Sequence, residues 1–65
     1  MICAETNIIN YLTNSDYTEE QAKKVLTLYY DVFTDCVEHN RDAEDCGNEI
    51  IRRHMEDVDR GINIL

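Results

Sequence analysis

Proline is absent from this chain and glycine occurs at only two of its 65 positions, Gly47 and Gly61, so little in the backbone resists a helix. The apolar residues recur with a period near 3.6 and do not alternate, which selects helix over strand. The chain therefore reads as all-alpha. Its length allows one small domain over residues 1–65, near the lower limit at which a chain folds without help. Apolar residues make up 43% of the sequence, and Ile8, Ile9, Leu12, Val25, Leu26, Leu28, Phe33, Ile50 and Ile51 suffice for a thin core.

Three helices are expected, over about 5–12, 18–38 and 42–60. Ile8, Ile9 and Leu12 share one face of the first, and Thr13, Asn14, Ser15 and Asp16 favour a break after it because their side chains compete for backbone hydrogen bonds. Thr18 to Gln21, "TEEQ", matches a capping box, with Glu19 and Glu20 at the positive end of the helix dipole. Ala22, Val25, Leu26, Tyr29, Val32, Phe33, Cys36 and Val37 then make a broad apolar stripe. Asn40 stops this second helix, and Asp42 caps a third that carries Ala43, Cys46, Ile50, His54 and Val58 on one side, with Ile51 and Met55 beside them. Arg60 and Gly61 suit its end. A break at Gly47 and Asn48 competes with the turn at 39–41; the latter is preferred because it gives two helices of similar length. The expected architecture is a short first helix packed on an antiparallel helical hairpin.

Six basic residues against fourteen acidic ones give a formal charge of −8. Such a field repels phosphate backbones and attracts basic surfaces, so direct nucleic-acid binding is disfavoured and a basic protein partner is allowed. The same charge also serves solubility. The start, "MICAETNIINYL", lacks the features of a secretion signal, no apolar run reaches membrane-spanning length, and no basic face suits a lipid surface. A cytoplasmic, membrane-independent protein is expected.

Cys36, His39, Cys46 and His54 are the residue types that zinc prefers, but their spacing is not that of a tight zinc turn. A Cys36–Cys46 disulfide would leave Cys3 over and does not suit the cytoplasm. Buried thiols acting as small apolar residues are the simpler reading. Cysteine–histidine catalysis would need an oxyanion donor and a water-excluding pocket that a thin helical core has little room for. Asp42, Glu44 and Gly47 follow the opening of a calcium loop superficially, but Cys46 and Arg53 fall where oxygen ligands belong. No catalytic residue, metal ligand or cofactor is assigned.

The acidic residues are more suggestive. Asp31, Asp35 and Glu38 align on one helical face, and Asp42, Glu44, Asp45 and Glu49 follow around the expected turn, with Arg41 as the one positive charge between residues 31 and 45. Tyr29 reads as core, whereas Tyr30 is the candidate contact tyrosine, alone or with Phe33 or Leu26 in a dimer seam. The expected partner-binding set is thus Tyr30, Asp31, Asp35, Glu38, Asp42, Glu44, Asp45 and Glu49. It suits a small acidic interaction module that inhibits or modulates a basic protein, nucleic-acid-binding enzymes included, by imitating a phosphate row. A tiny acidic single-domain chain is a format that bacterial viruses and mobile elements could use for inhibitors, although size and charge do not reveal origin. The alternative is a self-associating helical hairpin, a homodimer or a subunit of a larger assembly.

Overall fold

The computed structural model describes residues 3–61, so the single domain expected over 1–65 extends beyond the described residues at both ends. All secondary structure described is helical: α1 (Glu5–Thr13), α2 (Glu19–Leu28), α3 (Tyr30–Glu38) and α4 (Ala43–Asp59). None of these helices is long and apolar enough to cross a membrane.

The boundaries follow local chemistry. After α1 the chain turns through Asp16 at φ 72, a left-handed conformation that aspartate tolerates better than most residues. The Thr13 and Ser15 hydroxyls donate back to the carbonyls of Asn10 and Tyr11. Both halves of the Thr18–Gln21 capping box form, each at 3.1 Å. The turn between α3 and α4 lies at 39–41, with Asn40 at φ 52 and the Arg41 N–H donating to the Cys36 carbonyl. Asp42 then caps α4, its carboxylate accepting from the Glu44 N–H. Gly47 and Asn48 lie inside α4, so the competing break there does not occur.

The helix expected over 18–38 is divided. Tyr29, at φ −110 and ψ 34, ends α2 and begins α3 without a side-chain cap, making four helices among the described residues where three were expected. Two physical causes meet here. The run from Tyr29 to Thr34 is rich in aromatic and β-branched residues, which are mediocre helix formers. The Tyr29 side chain is also held across the molecule, its hydroxyl donating to Asp57 of α4 and its ring meeting His54 edge-on at 6.5 Å. The bend lets one apolar stripe serve two neighbours: α2 packs chiefly against α1, and α3 against α4.

The expected packing of a short first helix on an antiparallel hairpin is met only in part, because the bend at Tyr29 divides the hairpin's first arm. Helix α1 is wedged between α2 and α4, its main neighbours, and both Ile8 and Leu12 are completely buried. Ala22, Val25, Leu26, Tyr29, Val32, Phe33, Cys36, Ala43, Cys46 and Ile50 complete the core, with Ile9 and Ile51 among those packed at its edge. Leu28, expected inside, is half exposed, as are Val37 and Val58, and Met55 is more so.

The Tyr29 hydroxyl, whose ordinary pKa is 10.0, is pushed up to about 12 by burial and by the Asp57 carboxylate beside it. Above pH 10 the unfolded chain loses this proton more readily than the folded one, so stability present below that pH is lost as pH rises toward 12. Urea unfolding at stepped alkaline pH is expected to record this loss, and Tyr29→Phe to flatten it. Burial also raises Tyr17, which leaves a residual slope. A Tyr29→Phe slope as steep as that of the wild type would dismiss Tyr29 as the cause.

Candidate functional site: the acidic cleft between α3 and α4

Helices α3 and α4 run away from the 39–41 turn with a cleft of about 350 Å³ between them, lined by Asp31, Val32, Asp35, Arg41, Glu49 and Arg53. Asp31 and Asp35 are one helical turn apart on α3, and the adjacent Val32 faces inward to the core. That spacing is what holds the two carboxylates outward on one side. Glu49 enters from the opposite wall, between buried Cys46 and Ile50.

The cleft joins opposite charges. Arg41 comes from the turn and Arg53 from α4, one turn beyond Glu49, so three carboxylates share the space with two guanidiniums. The Glu49 carboxylate accepts from Arg52, with Nε at 3.0 Å and Nη2 also bonded. This holds its pKa below the usual carboxylate range, and Arg53 and Arg41 contribute in the same direction. Asp35 meets the His39 ring at 3.4 Å, while His39 Nδ1 also lies 2.8 Å from the Asp35 carbonyl. Among the described residues Asp31, Glu38, Glu44 and Asp45 take part in no ion pair. Glu38, Asp42, Glu44 and Asp45 are exposed around the turn, although Asp42 also has a structural task as the cap of α4.

The structure thus brings Asp31, Asp35 and Glu49 together and leaves Glu38, Asp42, Glu44 and Asp45 at the exposed turn. It sets Tyr30 elsewhere. That residue lines a different groove with Glu5, Ile9, Lys23, Leu26 and Thr27, its ring is 5.1 Å from Phe33, and its hydroxyl donates to Glu5 at 3.2 Å. Phe33 and Leu26 are themselves buried, so the dimer seam imagined through them is closed by the chain's own core. Arg53, which the sequence analysis did not assign to the site, also lines the cleft. Its position four after Glu49 is the signal that places it on the same wall.

The histidines and cysteines separate. His54 is buried, with its Nδ1 and the Tyr17 hydroxyl hydrogen-bonded at 2.7 Å, and His39 is exposed. Among the described residues no three histidine, cysteine or acidic side chains are grouped to hold a metal ion. Comparison with protein-family models, with curated proteins and with solved structures finds no match to this chain.

Proposed function

We propose that the protein is a small acidic interaction module whose α3–α4 face binds a basic protein and inhibits or modulates it. The observation that carries this reading is the convergence of Asp31, Asp35 and Glu49, from two helices, on one cleft continuous in sequence with exposed Glu38, Asp42, Glu44 and Asp45. Lysines and arginines of a nucleic-acid-binding surface are the complementary chemistry. Arg41 and Arg53 add selectivity, because a cation set in the wrong register meets like charge there. The face is therefore patterned, and it resembles a phosphate row only at its rim.

The test uses a chain carrying Asp31→Lys, Asp35→Lys and Glu38→Lys, leaving Asp42 in place because its loss would weaken α4. Wild type and variant, shown equally helical by circular dichroism, are titrated with an arginine- and lysine-rich peptide and used to capture proteins from cell lysate. The expected result is a basic protein held by the wild type, released by duplex DNA, and bound on the order of 10- to 100-fold more weakly by the variant. Equal capture by both chains, or none by either, sinks the proposal.

A second reading is self-association. Met55 and Val58, three residues apart on α4, are 61% and 52% exposed beside Tyr17 and His54, a surface that a second copy would cover. Salt separates the two readings. Binding of a basic partner weakens as salt screens the attraction, whereas pairing of two chains that each carry −8 strengthens as their repulsion is screened.

A further inference from the structure

The far half of α4 differs in charge from what precedes it. Residues 38–49 hold five carboxylates, Glu38, Asp42, Glu44, Asp45 and Glu49, against Arg41, whereas residues 50–61 set Arg52, Arg53 and Arg60 against Glu56, Asp57 and Asp59. The negative excess of the chain is therefore absent where Met55 and Val58 are exposed. Ile51, packed at the core edge, precedes Met55 by four residues and Val58 follows it by three, the spacing that brings side chains onto one line of a helix. Arg52 and Asp59, both exposed, are seven apart and hence flank this line on the same side, the cation towards one end and the carboxylate towards the other. Asp59 also lines the groove that Met55 and Val58 share with Tyr17 and His54.

We infer that a second copy of the chain packs on this line with its α4 antiparallel, related by a two-fold axis through the Met55–Val58 step, so that Met55 of each copy meets Val58 of the other and Arg52 of each meets Asp59 of the other. The inference rests on the self-association reading and adds the register and the direction. The charge pattern selects both occupant and direction. A two-fold contact must be complementary to itself. Antiparallel helices bring opposite charges together at both ends of the apolar line, whereas parallel helices set Arg52 on Arg52 and Asp59 on Asp59, and like charges oppose that pairing. A basic protein finds no excess of carboxylates here to recognise. Arg52 already holds Glu49 through Nε and Nη2, but a guanidinium has five N–H donors, which leaves donors for a second carboxylate. Glu49 and Arg53, which line the acidic cleft, lie about half a turn round α4 from Met55 and Val58. Pairing therefore leaves both clefts open and turns them away from each other, so one dimer offers two acidic faces and a partner with two basic patches gains avidity.

The test is sedimentation equilibrium of the full-length chain beside Arg52→Asp, Asp59→Arg and the variant carrying both changes, each first shown to have wild-type helicity by circular dichroism. The expected result is a reversible dimer of the wild type, weakened on the order of 10-fold by either single change and recovered when both are present. The double variant still lacks the Arg52–Glu49 pair, so its recovery reports the contact between copies. General repulsion gives another pattern: Arg52→Asp deepens the net charge and Asp59→Arg lessens it, so the two would move the dimer in opposite directions, and that outcome overturns the register. Met55→Glu should leave a helical monomer. The chain carrying Asp31→Lys, Asp35→Lys and Glu38→Lys should dimerise at least as well as the wild type. A wild-type monomer up to about 1 mM overturns the self-association reading and the register together. A dimer that ignores the Arg52 and Asp59 changes, is not recovered by the double variant, or is lost with the α3 carboxylates overturns the register alone.

Discussion

Leu12→Ala is expected to lower the unfolding free energy by about 2–5 kcal/mol, the range for truncating a fully buried leucine. For a chain this small that is comparable with the whole net stability, which a single thin core rarely carries beyond about 3–5 kcal/mol. The position explains why the upper part of the range applies. Leu12 lies on α1, which is wedged between α2 and α4, and its carbonyl accepts from the N–H groups of Ser15 and Tyr17 in the following turn. A void there weakens two helix contacts together and leaves little freedom for collapse. Urea unfolding followed by far-ultraviolet circular dichroism is the measurement, with Leu28→Ala as control. Leu28 is 51% exposed, so its truncation should cost no more than about 0.5 kcal/mol. Equal losses at the two positions would refute the central placement of α1.

The second large effect has two opposed contributions. Alanine is a better helix former than glycine by about 1 kcal/mol, so Gly47→Ala inside α4 would stabilise an isolated helix. Here the added Cβ would stand 2.3 Å from Tyr11 Cδ1, 2.8 Å from Cε1 and 3.0 Å from Cγ. Contact at Cγ cannot be relieved by moving the end of the ring alone. The whole Tyr11 side chain must shift, and its hydroxyl then leaves the Asn48 side-chain oxygen to which it donates. Overpacking of this kind costs about 1–3 kcal/mol and outweighs the propensity gain. Gly47→Ala is therefore expected to destabilise the fold. In the Tyr11→Ala background the same change should be neutral or favourable, giving a coupling of about 1 kcal/mol or more in a double-mutant cycle. Additive effects would mean that the ring does not hold Gly47 to glycine.

These two positions also mark what the sequence could tell and what it could not. Helical class, the capping box at Thr18, the stop at Asn40 and the cap at Asp42 are local, and local chemistry announced them. The bend at Tyr29 was hidden because the mediocre helix formers from Tyr29 to Thr34 are a weak local signal and the contact with Asp57 lies far along the chain, while the apolar stripe runs through it without a change of rhythm. Gly47 looked like punctuation because a glycine's neighbour across a helix contact leaves no trace beside it. The acidic row of α3 was visible as a row, but its shared cleft with Arg41 and Arg53 depends on how α3 and α4 face one another.

The tyrosines have a use that concerns observation of the molecule. Each hydroxyl bridges different parts of the chain: Tyr11 to Asn48, Tyr17 to His54, Tyr29 to Asp57 and Tyr30 to Glu5. Three of the four fasten onto α4, and the sequence contains no tryptophan. Near-ultraviolet absorption and intrinsic emission therefore come from phenol rings held by specific contacts. Single Tyr→Phe variants would divide that signal among the α1–α4, turn–α4, bend–α4 and α3–α1 junctions. The order in which these contacts part during unfolding can then be followed optically, with no label attached.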